Sequence, residues 1–532
     1  MSRSLQPSWL RARKLLLQRV KEHIGSLLGP LPRDLYSARK RYEKEFGSGW
    51  TISSSDELLK RVEESRIVLG ADFHAHVQSQ RTHLRILRSL PQRKKIMLAL
   101  EVFPVREQRN LDLYLQKKLT EAQFLKRIRW DEVWGFPWKH YRPLLQLAQE
   151  RGYKVVALNS SVNKTNERSL NQREKMAVQV LQKKIKTSPE ALIYIVFGDL
   201  HLSRAQLPQK LLPLLKKPSD LLVIHQDSES LYFKLAIQKV ENKVSVLRKG
   251  KNHFCVMTSP PWVRWQNYQL FLEGEGEQEL EMKLDPTEWV RHLLQVVMED
   301  LSLKLPAQDF EAFDLQSENV WRLLEKNLSQ KELLMAQHLM GRNRSFFLPG
   351  KKNFILLSHN INHVSALCGD YLQCQLSGRK TTLWNFSQDF EAAVWLETLC
   401  FFASKLMNHR RKPDRIEDLM TQGAEMKETL LLVLGLKMKF LKWAQGPEGH
   451  FDVSKKFKPR RKSSYFHAAQ VLGGLLGERL FANYRSGVIR SKKVQEWMAF
   501  DVYNESFHDF FKSRIKQLEV VPSWLEEQDV RL

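Results

Sequence analysis

Between about residues 65 and 247 the chain alternates short apolar runs with amphipathic stretches. The runs RIVLG (66–70), IMLALE (96–101), KVVALN (154–159), ALIYIVFG (191–198) and DLLVIH (220–225) are rich in Val, Ile and Leu. They are too short for helices and too continuously apolar for half-exposed strands, so they predict strands buried on both faces. Helical spacing fills the intervals at 79–90, 107–127, 139–151, 171–186 and 203–215. Strand and helix in repeated alternation predict a mostly parallel sheet flanked by helices. The runs 231–238 and 243–249 bracket a polar ENK and predict an antiparallel hairpin at the sheet edge.

The pattern changes after residue 258. Pro, Gly and acidic residues mark 259–265 and 272–286 as linker, and six amphipathic stretches follow at 287–304, 317–340, 388–408, 414–444, 463–485 and 492–518. The expected organisation is an N-terminal basic helical segment (1–50), an α/β domain (51–258), a linker (259–286) and a mainly α-helical domain (287–532). In the N-terminal segment, Trp9, Leu10, Leu15, Leu16, Leu17, Val20 and Ile24 interleave with Arg11, Arg13, Lys14, Arg19 and Lys21. Such a helix packs on the domain behind it or lies on an anionic membrane surface. No run of about twenty apolar residues predicts a transmembrane helix, and no apolar core of a signal peptide opens the sequence. The expected location is the cytoplasm, peripheral at a membrane surface at most.

Composition sharpens this in two ways. The 532 residues hold 85 Lys and Arg against 59 Asp and Glu, a formal charge of +26 that attracts anions. The basic runs 409–415 and 455–464 carry part of it, but neither is interleaved with aromatics for base stacking. They read as solvated loops, and no nucleic-acid motif accompanies them. The four cysteines, Cys255, Cys368, Cys374 and Cys400, form no CxxC pair. That argues against a zinc knuckle, a redox motif and a disulfide scaffold.

Candidate chemistry gathers where the strands stop. In open parallel sheets ligands bind beyond the carboxyl ends of the strands. Those ends carry Asp72, His74 and His76; Glu101; Asn159; and Asp199 and His201. Any one of them is explained as a turn-former. The set predicts one rim, and Glu101 in an apolar run is costly to bury unpaired. Between the second and third strands, Trp130, Trp134, Phe136, Trp138 and Tyr141 crowd a Gly- and Pro-broken loop, either a plug for the core or a wall for a flat ligand. In the second half, His359 and His363 sit four apart and His467 precedes Gly473 and Gly477. Three histidines suit a metal, but structural histidines and close helix packing explain them more simply.

Four stretches, LGADFH, LALEVFP, WGFPWKHYRPLLQLAQERGYKVVALN and FGDLH, resemble in that order the motifs of the ChaN-type haem-binding family. That family is related to the Tiki, TraB and erythromycin-esterase group, and the resemblance spans about residues 60–250. The family's Gly-Glu is here Ala71-Asp72. The resemblance implies a non-catalytic pocket for haem, or a related iron cofactor, formed by Asp72, His74, Glu101, Trp138, Tyr141, Asn159 and His201. Axial ligation stays open among His74, His76, His140 and Tyr141, and His201 is a further metal candidate. Two other readings use the same residues. One is a hydrolase in which Glu101, His74 and His201 activate water, with or without a divalent metal. The other is a degenerate module that binds a partner.

Overall fold

The computed structural model describes residues 8–29, 33–92, 95–160, 167–274, 285–305, 309–314, 320–341, 344–384, 390–413 and 462–518. The chain divides into two compact units, Leu17–Glu279 and Met1–Leu16 with Leu280–Leu532.

The first unit is built on an eight-stranded sheet. Its strands are β1 (Thr51–Ser53), β2 (Ile67–Asp72), β3 (Ile96–Pro104), β4 (Lys154–Asn159), β5 (Leu192–Gly198), β6 (Leu221–Gln226), β7 (Val246–Lys249) and β8 (His253–Val256). The spatial order is β1-β7-β8-β6-β2-β5-β3-β4. Six neighbours, from β8 to β4, run parallel, and β7 is antiparallel to both β8 and β1. Every residue of β2, β3, β5 and β6 is buried, as their continuous apolar runs require of strands covered on both faces. The core takes Val68, Leu98, Leu100, Tyr194 and Ile224 from the sheet and Leu84, Leu87, Leu144, Leu145 and Leu147 from the helices Val77–Ser89 and Trp138–Arg151.

Three local expectations are corrected. Residues 231–238 form no strand: 231–237 lie in the helix Glu229–Ile237, which Gln238 ends and Ser228 caps, its hydroxyl accepting from the Leu231 amide. Leu231, Tyr232, Leu235 and Ala236 are its buried positions, a helical spacing hidden in a nearly continuous apolar run. The hairpin is instead β7 with β8, turning through Gly250 at φ +61°, with the short β1 outside it at the edge. Strand β3 continues to Pro104, with a register shift against β4 between Leu100 and Pro104, so Glu101 lies within the strand. Residues 261–274, expected in linker, form a helix.

The second unit contains the helices Pro286–Asp300, Ile361–Ser377, Phe390–Met407 and Lys462–Arg485. It also holds a three-stranded sheet the sequence did not announce, in order β10-β11-β9: β9 (Glu311–Asp314), β10 (Phe346–Leu348) and β11 (Asn353–Leu356). These strands are three or four residues long, too short for a period to register. Gly473 and Gly477 let the Lys462–Arg485 helix approach Phe390–Met407 closely. A Cβ on Gly477 would sit 2.7 Å from the Thr398 carbonyl oxygen, and one on Gly473 would sit 2.5 Å from Glu397 Cβ. The expected stretch 414–444 and the run 455–461 lie outside the described residues. In the helix Ser8–Leu28, Leu10, Leu16, Leu17, Val20 and Ile24 are all buried. No helix among the described residues is long and apolar enough to cross a membrane.

Candidate functional site

The carboxyl ends of β2 and β5, with β3 beside β5, bring Asp72, Glu101 and Gly198 together. The Gly198 amide donates to Glu101 Oε2 at 2.6 Å, so the buried carboxylate is anchored by backbone. A Cβ at Gly198 would meet Glu101 Oε2 at 3.2 Å and His74 Nε2 at 3.4 Å, so the missing side chain leaves room for both.

Two histidines approach Glu101, and each is backed by its own carboxylate. His74 Nδ1 lies 2.9 Å from Asp72 Oδ2, and its Nε2 lies 4.0 Å from Glu101 Oε2. A carboxylate only accepts, so Nδ1 carries the proton and Nε2 is left toward Glu101. His201 repeats the arrangement, with Nδ1 2.7 Å from Glu174 Oε1 and Nε2 3.7 Å from Glu101 Oε1. Arg173 adds a cation 3.5 Å from Glu101 Oε1, and Lys210 donates to Glu174. The buried carboxylates are thus each paired, which is what makes them tolerable in this interior.

Asp72 is held from several sides. Tyr141 donates its hydroxyl to Oδ2 at 2.8 Å and Gln80 donates to Oδ1 at 2.5 Å. Burial favours the neutral acid, but the His74 charge and its hydrogen bond, His83 and the Tyr141 hydroxyl outweigh it and lower the Asp72 pKa. Conversely, burial opposes a charged His74, yet Asp72, Glu101 and Asp199 overcome that opposition and raise its pKa. Burial and the adjacent Asp72 push the Tyr141 phenol well above its ordinary value, so it stays protonated.

The His74 ring, half-buried, sits among aromatics. Its centroid is 4.6 Å from Trp134 and 5.1 Å from Phe136. Phe136 stacks on Phe271 at 4.4 Å, and Tyr268 lies parallel to Phe271. Phe73, Trp265 and Tyr268 continue the wall, with Arg39 4.5 Å and Lys21 5.2 Å from the Trp265 ring centroid. All these rings are half-buried. A carboxylate-backed imidazole in a partly exposed aromatic wall with basic groups at its margin suits a flat ligand that carries anionic groups.

The structure thus gathers Asp72, His74, Glu101, Tyr141 and His201. Other expected residues stand apart. His76 turns away to Ser259 Oγ at 3.0 Å and to Asn267, and burial pushes its pKa down to about 4. His140 donates Nδ1–H to the His74 carbonyl at 3.1 Å and so steadies the loop. Trp138 packs on Trp130, Phe124 and Tyr114 in the core. Asn159 ends the edge strand β4, its Oδ1 unpartnered among the described residues. Asp199 pairs with Arg264. His359 precedes the helix Ile361–Ser377 that holds His363, so the two do not share a helical face. Among the described residues no three His, Cys, Asp or Glu side chains are arranged to hold a metal ion, His467 included.

Sequence reasoning overlooked Arg173 and Glu174, although a signal existed. On the helix Glu167–Thr187, Leu170, Glu174, Ala177 and Leu181 are buried at spacings of four, three and four. An acid on the apolar stripe of a helix demands a partner inside. Trp134 and Phe136, rather than Trp138, flank His74, which only the path of the loop decides.

Residues 58–191 match the family model described as "Haem-binding uptake, Tiki superfamily, ChaN", within the span over which the motifs resemble that family. A solved structure described as "Cofacial heme binding to ChaN of Campylobacter jejuni" is similar at 16% identity, covering 33% of this chain and 86% of that one, with a TM-score of 0.25. No curated protein matches the chain.

Proposed function

We propose that the α/β unit binds an iron porphyrin at the carboxyl edge of its sheet. The observation that carries this is His74: an imidazole fixed at Nδ1 by Asp72 and set against Trp134 and Phe136 in a wall of half-buried rings. The match of residues 58–191 to a haem-binding family supports the same reading. In it His74 supplies the nitrogen for the iron, Asp72 strengthens that nitrogen as a donor, and the rings cover the macrocycle. Bound haem supplies iron coordination and, where a position stays open, redox chemistry. The test is hemin titration of the purified full chain. A Soret band saturating near one equivalent is expected, and His74→Ala should abolish it while the circular dichroism stays that of the parent. A band that His74→Ala leaves intact overturns the assignment.

A second reading has its own observation, Glu101 flanked by two carboxylate-backed histidines. Such an array suits water activation: Glu101 accepts the proton of an attacking water, and the cationic form of His74, favoured by Asp72, donates to the leaving group. Turnover of an ester or amide that is lost in Glu101→Gln, without any hemin uptake, selects this reading over the first.

A further inference from the structure

At the opposite, amino-terminal edge of the sheet the first unit holds a groove of about 520 Å³. Strand β6 enters it at Leu221 and β8 enters it at His253. Pro208, Leu212, Leu221 and Val223 give it an apolar side, on which Leu212 is 39% exposed. The ionisable side chains that line it are Arg204, Lys249, Lys251 and His253, and none of the lining residues is acidic. We propose that this groove binds a small amphiphile with an anionic carboxylate head and an apolar chain, of the size of a short fatty acid.

The charges around the groove favour an anion. Glu45 lies beside it and pairs with Arg204 through its carboxylate, at 3.3 Å to Nε and 2.9 Å to the backbone amide. Lys249 reaches only the backbone carbonyl of Glu45, at 3.2 Å, and Lys251 is exposed. One acid therefore faces three permanent cations, so two positive charges have no carboxylate partner among the described residues. His253 lies in the same field. Burial, Arg204 and Lys249 together push its pKa down to about 4, with no acid opposing them. It lies parallel to His225, whose own imidazole burial also keeps neutral, and behind His225 stands the Tyr42 hydroxyl at 3.3 Å. A bare phosphate would satisfy the cations but leave the apolar side wet. A chain of several methylenes covers it and takes that apolar surface out of water.

This site is separate from the carboxyl-edge site, and its test does not depend on haem. Octanoate, octylamine and inorganic phosphate are each titrated calorimetrically into the full chain. Octanoate is expected to bind, octylamine and phosphate not at comparable concentrations. Lys251→Glu and Leu212→Glu, both at exposed positions, should each weaken octanoate at least tenfold while the thermal transition holds. The second substitution decides the matter if the first unfolds the protein. Occupancy should also raise the His253 midpoint in an NMR titration, because the anion offsets Arg204 and Lys249. Octanoate affinity untouched by both substitutions, equal binding of octylamine, or phosphate binding as well as octanoate overturns the proposal.

Discussion

At the scale of single residues the carboxyl-edge site is a set of mutual dependences. His74 has a raised pKa, so the folded state holds its proton more tightly than the unfolded chain. That contribution to stability is complete below the unfolded imidazole value of about 6.5 and fades as pH climbs through the folded value. Asp72 has a lowered pKa, so its contribution is present above the unfolded carboxyl value of about 3.9 and fades as pH falls through the folded one. Both operate together between roughly pH 4 and 6.5. Replacing Asp72 with Asn should therefore bring the His74 midpoint down, read from its ring protons in an NMR pH titration. A midpoint that does not move would mean that Asp72 is not the group sustaining the cation. Tyr141 offers a second check. Tyr141→Phe removes one of the hydrogen bonds to Asp72 without reshaping the core, and should cost about 1.5–3 kcal/mol, typical of a bond to a charged acceptor.

Between elements, two close approaches rest on glycine. A Cβ on Gly70 would lie 2.3 Å from His83 Cε1. That ring cannot retreat easily, because Nε2 is 2.8 Å from the Ala71 carbonyl and Nδ1 is 3.0 Å from the Tyr194 hydroxyl. Gly70→Ala should destabilise by about 1–3 kcal/mol in urea unfolding, and by clearly less in a His83→Ala background, since the two groups share one space. In the second unit Gly477→Val should separate the Lys462–Arg485 and Phe390–Met407 helices and lower the thermal midpoint by several degrees. These elements also show what the sequence conveys. The five buried strands announce themselves because residues covered on both faces must be apolar throughout. The Glu229–Ile237 helix did not, because its neighbours Leu231 and Tyr232 are both buried and blur its period. The site was legible at strand ends, in Asp72, His74, Glu101 and His201, and in Tyr141 of the aromatic segment, which the structure brings together. Glu174 was marked by its place on the buried stripe of its helix, but which partner it meets depends on how the layers stack, as does the approach of Trp134 from its loop.

Over the whole molecule, each unit has its own hydrophobic core. Two calorimetric transitions are expected, and hemin should raise only the one belonging to residues 17–279. At a hundredfold excess over Kd the gain is about 2.7 kcal/mol. A shift confined to the other transition would place the ligand in the helical unit. Strand β2 sits between β5 and β6, sealed on both faces and bonded along both edges. Its amides can trade hydrogen for deuterium only when the entire unit opens, so they should be among the slowest in the chain. Asp72 is the last residue of that strand and His74 follows two positions on. The groups that would greet a ligand therefore stand on the least yielding part of the protein, already aligned before anything arrives.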